Sequence, residues 1–354
     1  MIKVGAEREV SFDRAFRTER QANYNINDYD LTSFEFADGE RKIYKNFNFS
    51  IFIDDYCNAD CKFCIAQIRY QHRKAMYKKD HIKNTDEYLT RLKEVLKFIR
   101  PLNPSISITG GEPSMSPILT DVMEIVDRLG FRKRTITSNG SGLFIKQNGD
   151  TILNNLKKYH WDHLNISRTS WDDNVNKRIM RYDDEKQYCD SNMIKDILQE
   201  INGTDLHHRF SCLLLKESVN SVDNIARYIE FYDKLGANNF IFRQLMDYDK
   251  SAINKEKMEY CTGNKIDLND IWTQLDKDDR FKPYMNILGY YYYVEIYKYG
   301  NNTIASESAN LSQQYVEKNK HKDTIYEMVF HNNGNLCASW LDTEDVLSKY
   351  RGVE

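Results

Sequence analysis

Proline is scarce in this chain, five residues in 354, beside 24 tyrosines and 17 phenylalanines. Such a balance excludes a Pro-rich linker or a disordered tail as the main content and leaves a globular composition. No run of about 18 apolar residues occurs, so no membrane-spanning helix is expected. Met1 to Val10 carries Lys3, Glu7, Arg8 and Glu9 where a secretory leader would be apolar. These absences predict a soluble, cytoplasmic protein with no membrane partner. Excess charge of one sign is also missing: the net charge is −3 and the pI is near 6.3, which argues against nucleic acid as the main partner. Seven cysteines are present, but a second C-x2-C pair is not. Neither a disulfide framework nor an ordinary four-ligand zinc site is therefore expected. Repeats of solenoid length and low-complexity tracts are lacking too.

What the chain does have is Cys57, Cys61 and Cys64 in a C-x3-C-x2-C run, directly after the strand-like stretch Phe47 to Ile53. A cubane iron–sulfur cluster has four irons, so three thiolates leave one iron open to another ligand. Such spacing points to chemistry at the iron rather than to a structural staple. The nearest histidines, His72 and His81, lie in a basic, polar stretch. Further on, Ser107-Ile108-Thr109 leads into Gly110-Gly111-Glu112-Pro113, where paired glycines permit a tight turn and close approach, and Glu112 offers a carboxylate. The basic runs Arg69 to Lys79 and Arg132 to Arg134 read as solvated helix faces, or, for the first, as a surface meeting an acidic ligand.

Together the two motifs resemble those of the radical S-adenosylmethionine (radical SAM) enzymes, in which an aromatic precedes the third cysteine. Phe63 holds that place here. The style is nearest to the molybdenum-cofactor cyclase and SPASM or twitch branch, without an evident auxiliary-cluster module. The resemblance implies an oxygen-sensitive [4Fe-4S] cluster on Cys57, Cys61 and Cys64, with S-adenosyl-L-methionine on the open iron. It implies reductive cleavage to a 5'-deoxyadenosyl radical that takes a hydrogen from a substrate, with flavodoxin or ferredoxin as electron donor. Cofactor contacts carried over by position are Gly110, Gly111, Glu112 and Pro113, then Ser138 and Asn139 after strand three, Ser167 and Arg168 at strand four, Asn220 past strand five, and Arg243 or Gln244 on strand six. The segment Asn165-Ile166-Ser167-Arg168-Thr169-Ser170-Trp171-Asp172 departs from the commoner family pattern. Its arginine implies contact with either the adenosyl moiety or an anionic substrate.

Strand and helix patterns alternate from residue 47, which predicts parallel α/β architecture. Six strand–helix units match the partial (β/α)6 barrel that the resemblance implies. The boundaries expected are an N-terminal extension over 1–46, the barrel core over 47–250, and a small α+β C-terminal extension over 251–354 with β-hairpins covering the barrel. Within the last part, Ile266 to Leu275 reads as a helix, Asn286 to Tyr299 as extended, and the residues after Gly300-Asn301-Asn302 as a polar helical stretch. Asn332-Asn333-Gly334 is a hairpin turn between β-rich runs. Cys189, Cys212, Cys261 and Cys337 are too scattered for a second cluster, and Cys212 reads as a small core residue. Tyr290 to Tyr293 and Trp340 are candidates for a substrate cleft.

The preface before the barrel is short for a leader-binding module. That favours a small metabolite, nucleotide-like compound or short peptide as substrate over a long ribosomal precursor. An iron–sulfur carrier without turnover is the alternative from another class, and it leaves Gly110 to Pro113 without a task. RNA modification is disfavoured by the charge balance.

Overall fold

A computed structural model describes residues 2–3, 9–10, 24–25, 31–77, 81–248, 252–289, 292–309 and 311–352. Lys78, Lys79, Tyr290 and Tyr291 of the runs singled out above, and most of 1–30, lie outside the described residues. Strand β1 (Leu31–Phe36) folds back antiparallel onto the long strand β2 (Gly39–Phe52). Gly39, with φ of +122°, makes the reversal. Phe47, Phe49 and Ile51 are buried along one face of β2, as their period-two spacing predicts.

Strand and helix then alternate through α1 (Thr85–Ile99), β3 (Ser105–Thr109), α2 (Leu119–Leu129), β4 (Lys133–Ser138), α3 (Ile152–Lys158) and β5 (His163–Ser167). They continue through α4 (Asp173–Met180), α5 (Ser191–Ile201), β6 (His207–Leu213), α6 (Val222–Asp233) and β7 (Asn239–Arg243). Each helix starts or stops where local chemistry dictates. Asn84 Oδ1 accepts from Glu87 N–H at 3.1 Å ahead of α1, and Gly130, with φ of +69°, ends α2.

β2, β3, β4, β5, β6 and β7 pair in that order, all parallel, which is the six-stranded partial barrel. Its apolar strand residues, among them Ile106, Ile108, Ile136, Leu164, Ile166, Phe210 and Phe240, pack with Leu92, Leu96, Val122, Val126 and Ile197 from the helices. Burying each such side chain contributes about 1.5–3 kcal/mol. The alternate residues, such as Thr109, Thr137, Ser167 and Ser211, are left for the interior of the barrel, and they are polar.

The C-terminal part holds α7 (Lys255–Asn264), α8 (Leu268–Leu275), β8 (Phe281–Leu288), β9 (Tyr292–Tyr299), β10 (Asn302–Ala309), α9 (Leu311–Lys320), β11 (Thr324–Phe330), β12 (Leu336–Cys337) and β13 (Val346–Ser348). It adds one parallel strand at each edge of the six, β11 beside β2 and β10 beside β7. Among the described residues no pairing joins β10 to β11, so the barrel stays open there. The Asn-Gly hairpin forms as expected, with Val329 opposite Cys337 and Phe330 opposite Leu336. The polar helix expected after Gly300-Asn301-Asn302 forms as α9 over Leu311–Lys320, but strand β10 takes the residues before it. Asn-Thr-Ile-Ala-Ser-Glu-Ser-Ala has no apolar alternation, yet Ser306 Oγ accepts from Trp272 Nε1 at 3.0 Å and Asn302 Nδ2 donates to Asp233 at 3.1 Å. No helix among the described residues is long and apolar enough to cross a membrane.

Candidate functional site

Past β2 the chain enters the loop carrying Cys57, Cys61 and Cys64, all free thiols of intermediate burial. Cations fasten this loop from behind. Arg73, in the one-turn helix Arg73–Met76, hydrogen-bonds the Cys57 carbonyl and forks onto both carboxylate oxygens of Asp183 at 2.6 and 2.7 Å. Lys257 of α7, only 3% exposed, donates to the Cys61 carbonyl at 2.7 Å and to Asp60 Oδ1 at 2.9 Å. Arg181 donates to the Asp60 carbonyl at 2.8 Å and to its Oδ2 at 2.9 Å. Burial works against the Asp60 charge, but Lys257 and Arg181 together hold its pKa below the ordinary carboxylate value.

Burial pushes all three thiols up, and neighbouring negative groups add to it: Glu112 at Cys57, and Cys57 with Cys64 at Cys61. Backbone N–H groups counter this, from Ala59 to the Cys57 sulfur and from Ala66 and Gln67 to the Cys64 sulfur. Three sulfurs so placed carry their negative charge comfortably only opposite cationic metal.

The glycine loop docks on the start of this cysteine loop. Gly111 N–H donates to the Asp54 carbonyl at 2.6 Å and Glu112 N–H to the Tyr56 carbonyl at 2.8 Å. A Cβ on Gly111 would stand 1.9 Å from the Tyr56 oxygen, so glycine is required there by protein backbone. Glu112 is buried, with Oε1 accepting from Ser114 N–H at 3.0 Å, Ser114 Oγ at 2.6 Å and Ser138 Oγ at 2.6 Å, and Oε2 accepting from Asn139 N–H at 2.6 Å. Burial raises its pKa while those donors pull it back. The carboxylate thus ties the glycine loop to the end of β4.

One cavity of about 400 Å³ opens at the carboxyl ends of the strands. Cys57, Cys61, Phe63, Cys64, Gly110, Gly111, Glu112, Ser138, Asn139, Ser167, Arg243 and Gln244 all line it. Pro113, Arg168 and Asn220 do not. Arg168 is buried behind β5, donating to Tyr232 Oη at 2.9 Å, to the Cys189 carbonyl and to Asp173. Asn220 bonds the Lys216 carbonyl at 2.9 Å and Asn224 at 2.9 Å ahead of α6. The cavity also has walls that the sequence reading did not single out: Thr137, Thr169, Ser211, Tyr248 and Glu307. Glu307 comes from β10 and pairs with Arg243 at 2.8 Å. A second chamber of about 200 Å³ shares Ile65, Ala66, Thr109, Gly110 and Met246 with the first and adds Asp55, His81 and Trp340. His81 Nε2 stands 2.9 Å from Asp55 Oδ2 there.

Residues 51–229, half of the chain, match the family model described as the radical SAM superfamily. The chain belongs to the radical SAM superfamily. No curated protein matches it. Among solved structures, Streptococcus suis SuiB is similar at 17% identity, over 83% of this chain and 60% of that one, with a TM-score of 0.49. The structure of anSMEcpe with bound AdoMet is similar at 14% identity, over 55% of this chain and 50% of that one, with a TM-score of 0.40. Coproporphyrinogen III oxidase (HemN) from Escherichia coli aligns at 11% identity, over 72% of this chain and 67% of that one, with a TM-score of 0.42. The chain therefore spans 60% of the length of SuiB and 50% of that of anSMEcpe.

Radical SAM enzymes carry a [4Fe-4S] cluster and S-adenosylmethionine. The residues present fit both. Cys57, Cys61 and Cys64 line one cavity from a single loop, and a cubane asks for one thiolate on each of three irons. The 400 Å³ cavity falls within the roughly 300–1,000 Å³ of small-molecule sites. Polar side chains such as Ser138, Asn139, Ser167 and Glu307, set among apolar walls, suit an amino acid and a ribose.

Proposed function

We propose that Cys57, Cys61 and Cys64 hold a [4Fe-4S] cluster, and that the cavity beside them binds S-adenosylmethionine for reductive cleavage and hydrogen abstraction from a small-molecule substrate. One observation carries this reading: the three thiols, the glycine loop and the strand-end polar residues open into a single cavity. When bound, the cluster and S-adenosylmethionine supply the electron and the carbon-centred radical; the protein supplies position and exclusion of water. Phe63 and the Gly110–Gly111 backbone share the cavity wall with the cysteines. Glu112 orients that wall through Ser138 and Asn139, and so acts as a positioning residue. Ser167, Thr169, Ser211 and the Arg243–Glu307 pair offer hydroxyls and charge to the polar parts of the cofactor. The smaller chamber beside Gly110 is the place for the reacting part of the substrate, with the Asp55–His81 pair within it to hold or accept a proton.

Barrel residues 47–250 form the catalytic core in this reading, and residues 251–354 complete the pocket through Glu307 and the chamber through Trp340. A reducing, cytoplasmic setting suits the thiolates.

A second reading, modification of a peptide, is favoured by the size of the chamber. At about 200 Å³ it lies below the usual lower limit of roughly 300 Å³ for whole small ligands and suits one side chain of a longer substrate.

Anaerobic reconstitution with iron, sulfide, dithionite and S-adenosylmethionine tests the proposal. The expected product is 5'-deoxyadenosine, lost on alanine substitution at Cys57, Cys61 or Cys64; product from any of those variants refutes the assignment.

A further inference from the structure

A groove of about 720 Å³ lies behind the cysteine loop, lined by Asp60, Gln67, Gln71, His72, Arg73, Lys74, Ile253, Asn254 and the start of α7 from Lys255 to Lys257. Its floor reaches two of the three cysteines through one side chain each. Arg73 bonds the Cys57 carbonyl and Lys257 bonds the Cys61 carbonyl. The side chain of Gln67 is only 1% exposed, and neither its Oε1 nor its Nε2 has a partner. A buried side-chain amide without a protein partner is unusual. The rim carries exposed Lys74 and Lys255, and its apolar centre is Ile253, 48% exposed. Asp60 and Glu256 are the acidic members, and both are spanned by Arg181, at 2.9 and 2.8 Å.

We propose that this groove is the docking face for an acidic one-electron carrier protein, which delivers electrons to the cluster from the side opposite the S-adenosylmethionine cavity. The inference rests on the proposed cluster. Reductive cleavage consumes one electron per event, and the cavity side is filled by cofactor and substrate, so the electron enters elsewhere. Among the described residues this groove reaches the cysteine loop through single side chains, Arg73 at the Cys57 carbonyl and Lys257 at the Cys61 carbonyl, and short bonded paths favour transfer. A basic rim around an exposed aliphatic centre matches the anatomy of transient interfaces and would steer a negatively charged partner.

Reconstituted holoprotein is mixed anaerobically with reduced flavodoxin, with reduced ferredoxin or with dithionite, and cluster bleaching is followed by stopped flow. Lys74→Glu and Lys255→Glu should each slow reduction by the protein donors about tenfold or more at low ionic strength, and raised salt should slow the unsubstituted protein. Dithionite, which needs no docking face, should reduce every form alike. Equal rates with the protein donors in wild type and both variants overturn the proposal, as does a cluster reduced by dithionite but by neither carrier. Absence of any dithionite-reducible cubane refutes instead the reading on which the proposal rests.

Discussion

The backbone N–H of Asn139 donates to Glu112 Oε2 at 2.6 Å, joining the glycine loop to the end of β4 beneath the cavity. The four hydrogen bonds to this carboxylate, from Ser114 N–H, Ser114 Oγ, Ser138 Oγ and Asn139 N–H, are all donated to it, so Glu112→Gln places an amide N–H₂ against donors in a buried site. Urea unfolding should show a loss of about 1–3 kcal/mol, and titration with S-adenosylmethionine should show weaker binding. Unchanged stability would remove the positioning role assigned here.

Two glycines should respond with opposite signs. Gly111→Ala drives a Cβ to 1.9 Å from the Tyr56 oxygen, and a shift of both loops should cost about 1–3 kcal/mol or more. Gly263 in α7 has nothing within 4 Å of its Cβ position, so Gly263→Ala should raise stability by about 0.5–1 kcal/mol. Thermal melts of the two variants side by side test the close approach.

Lys257→Met removes the cation that joins Asp60 to the Cys61 carbonyl, while keeping the length of the side chain. The loop then depends on Arg73 and Arg181, and iron and sulfide retained per chain after reconstitution should fall. Lys257→Arg should restore part of it; full retention in Lys257→Met would show that this bond does not order the loop.

At the opposite end of the barrel, His208 Nε2 accepts from Asn238 N–H at 3.1 Å, and burial pushes the imidazole pKa down to about 4. His163 is likewise pushed to about 4, by burial and then by Lys133. Because both folded values lie below the ordinary value of about 6.5, these groups favour folding fully only above that pH. Stability should decline as pH falls from about 6.5 toward 4, where the unfolded chain takes up protons that the fold refuses. His208→Gln, which keeps an acceptor without a titrating ring, should flatten part of that slope in urea titrations; an unaltered slope would discount His208.

Much of the fold was legible because βα alternation is written in apolar spacing, and the cysteine and glycine motifs lie at strand ends where the barrel opens. Arg168 shows where reading by position fails. Consecutive strand residues face opposite sides, so with Ser167 turned to the cavity its neighbour turns away, to Tyr232 and Asp173, and Thr169 returns to the cavity instead. The same period-two rule applied to Thr137 and Ser211 picks out both. Glu307 was hidden for another reason: β10 lacks an apolar face of its own, and only pairing with β7 and β9 makes it a strand.

Pairing of β11 with β2 carries a consequence for biosynthesis. The strand that leads into the cysteine loop acquires its neighbour on one side only once Thr324–Phe330, far along the chain, has left the ribosome. Until then that edge is bare and competent to recruit stray strands, so a nascent chain needs shielding there, and metal loading on the adjacent loop belongs after β11 has paired.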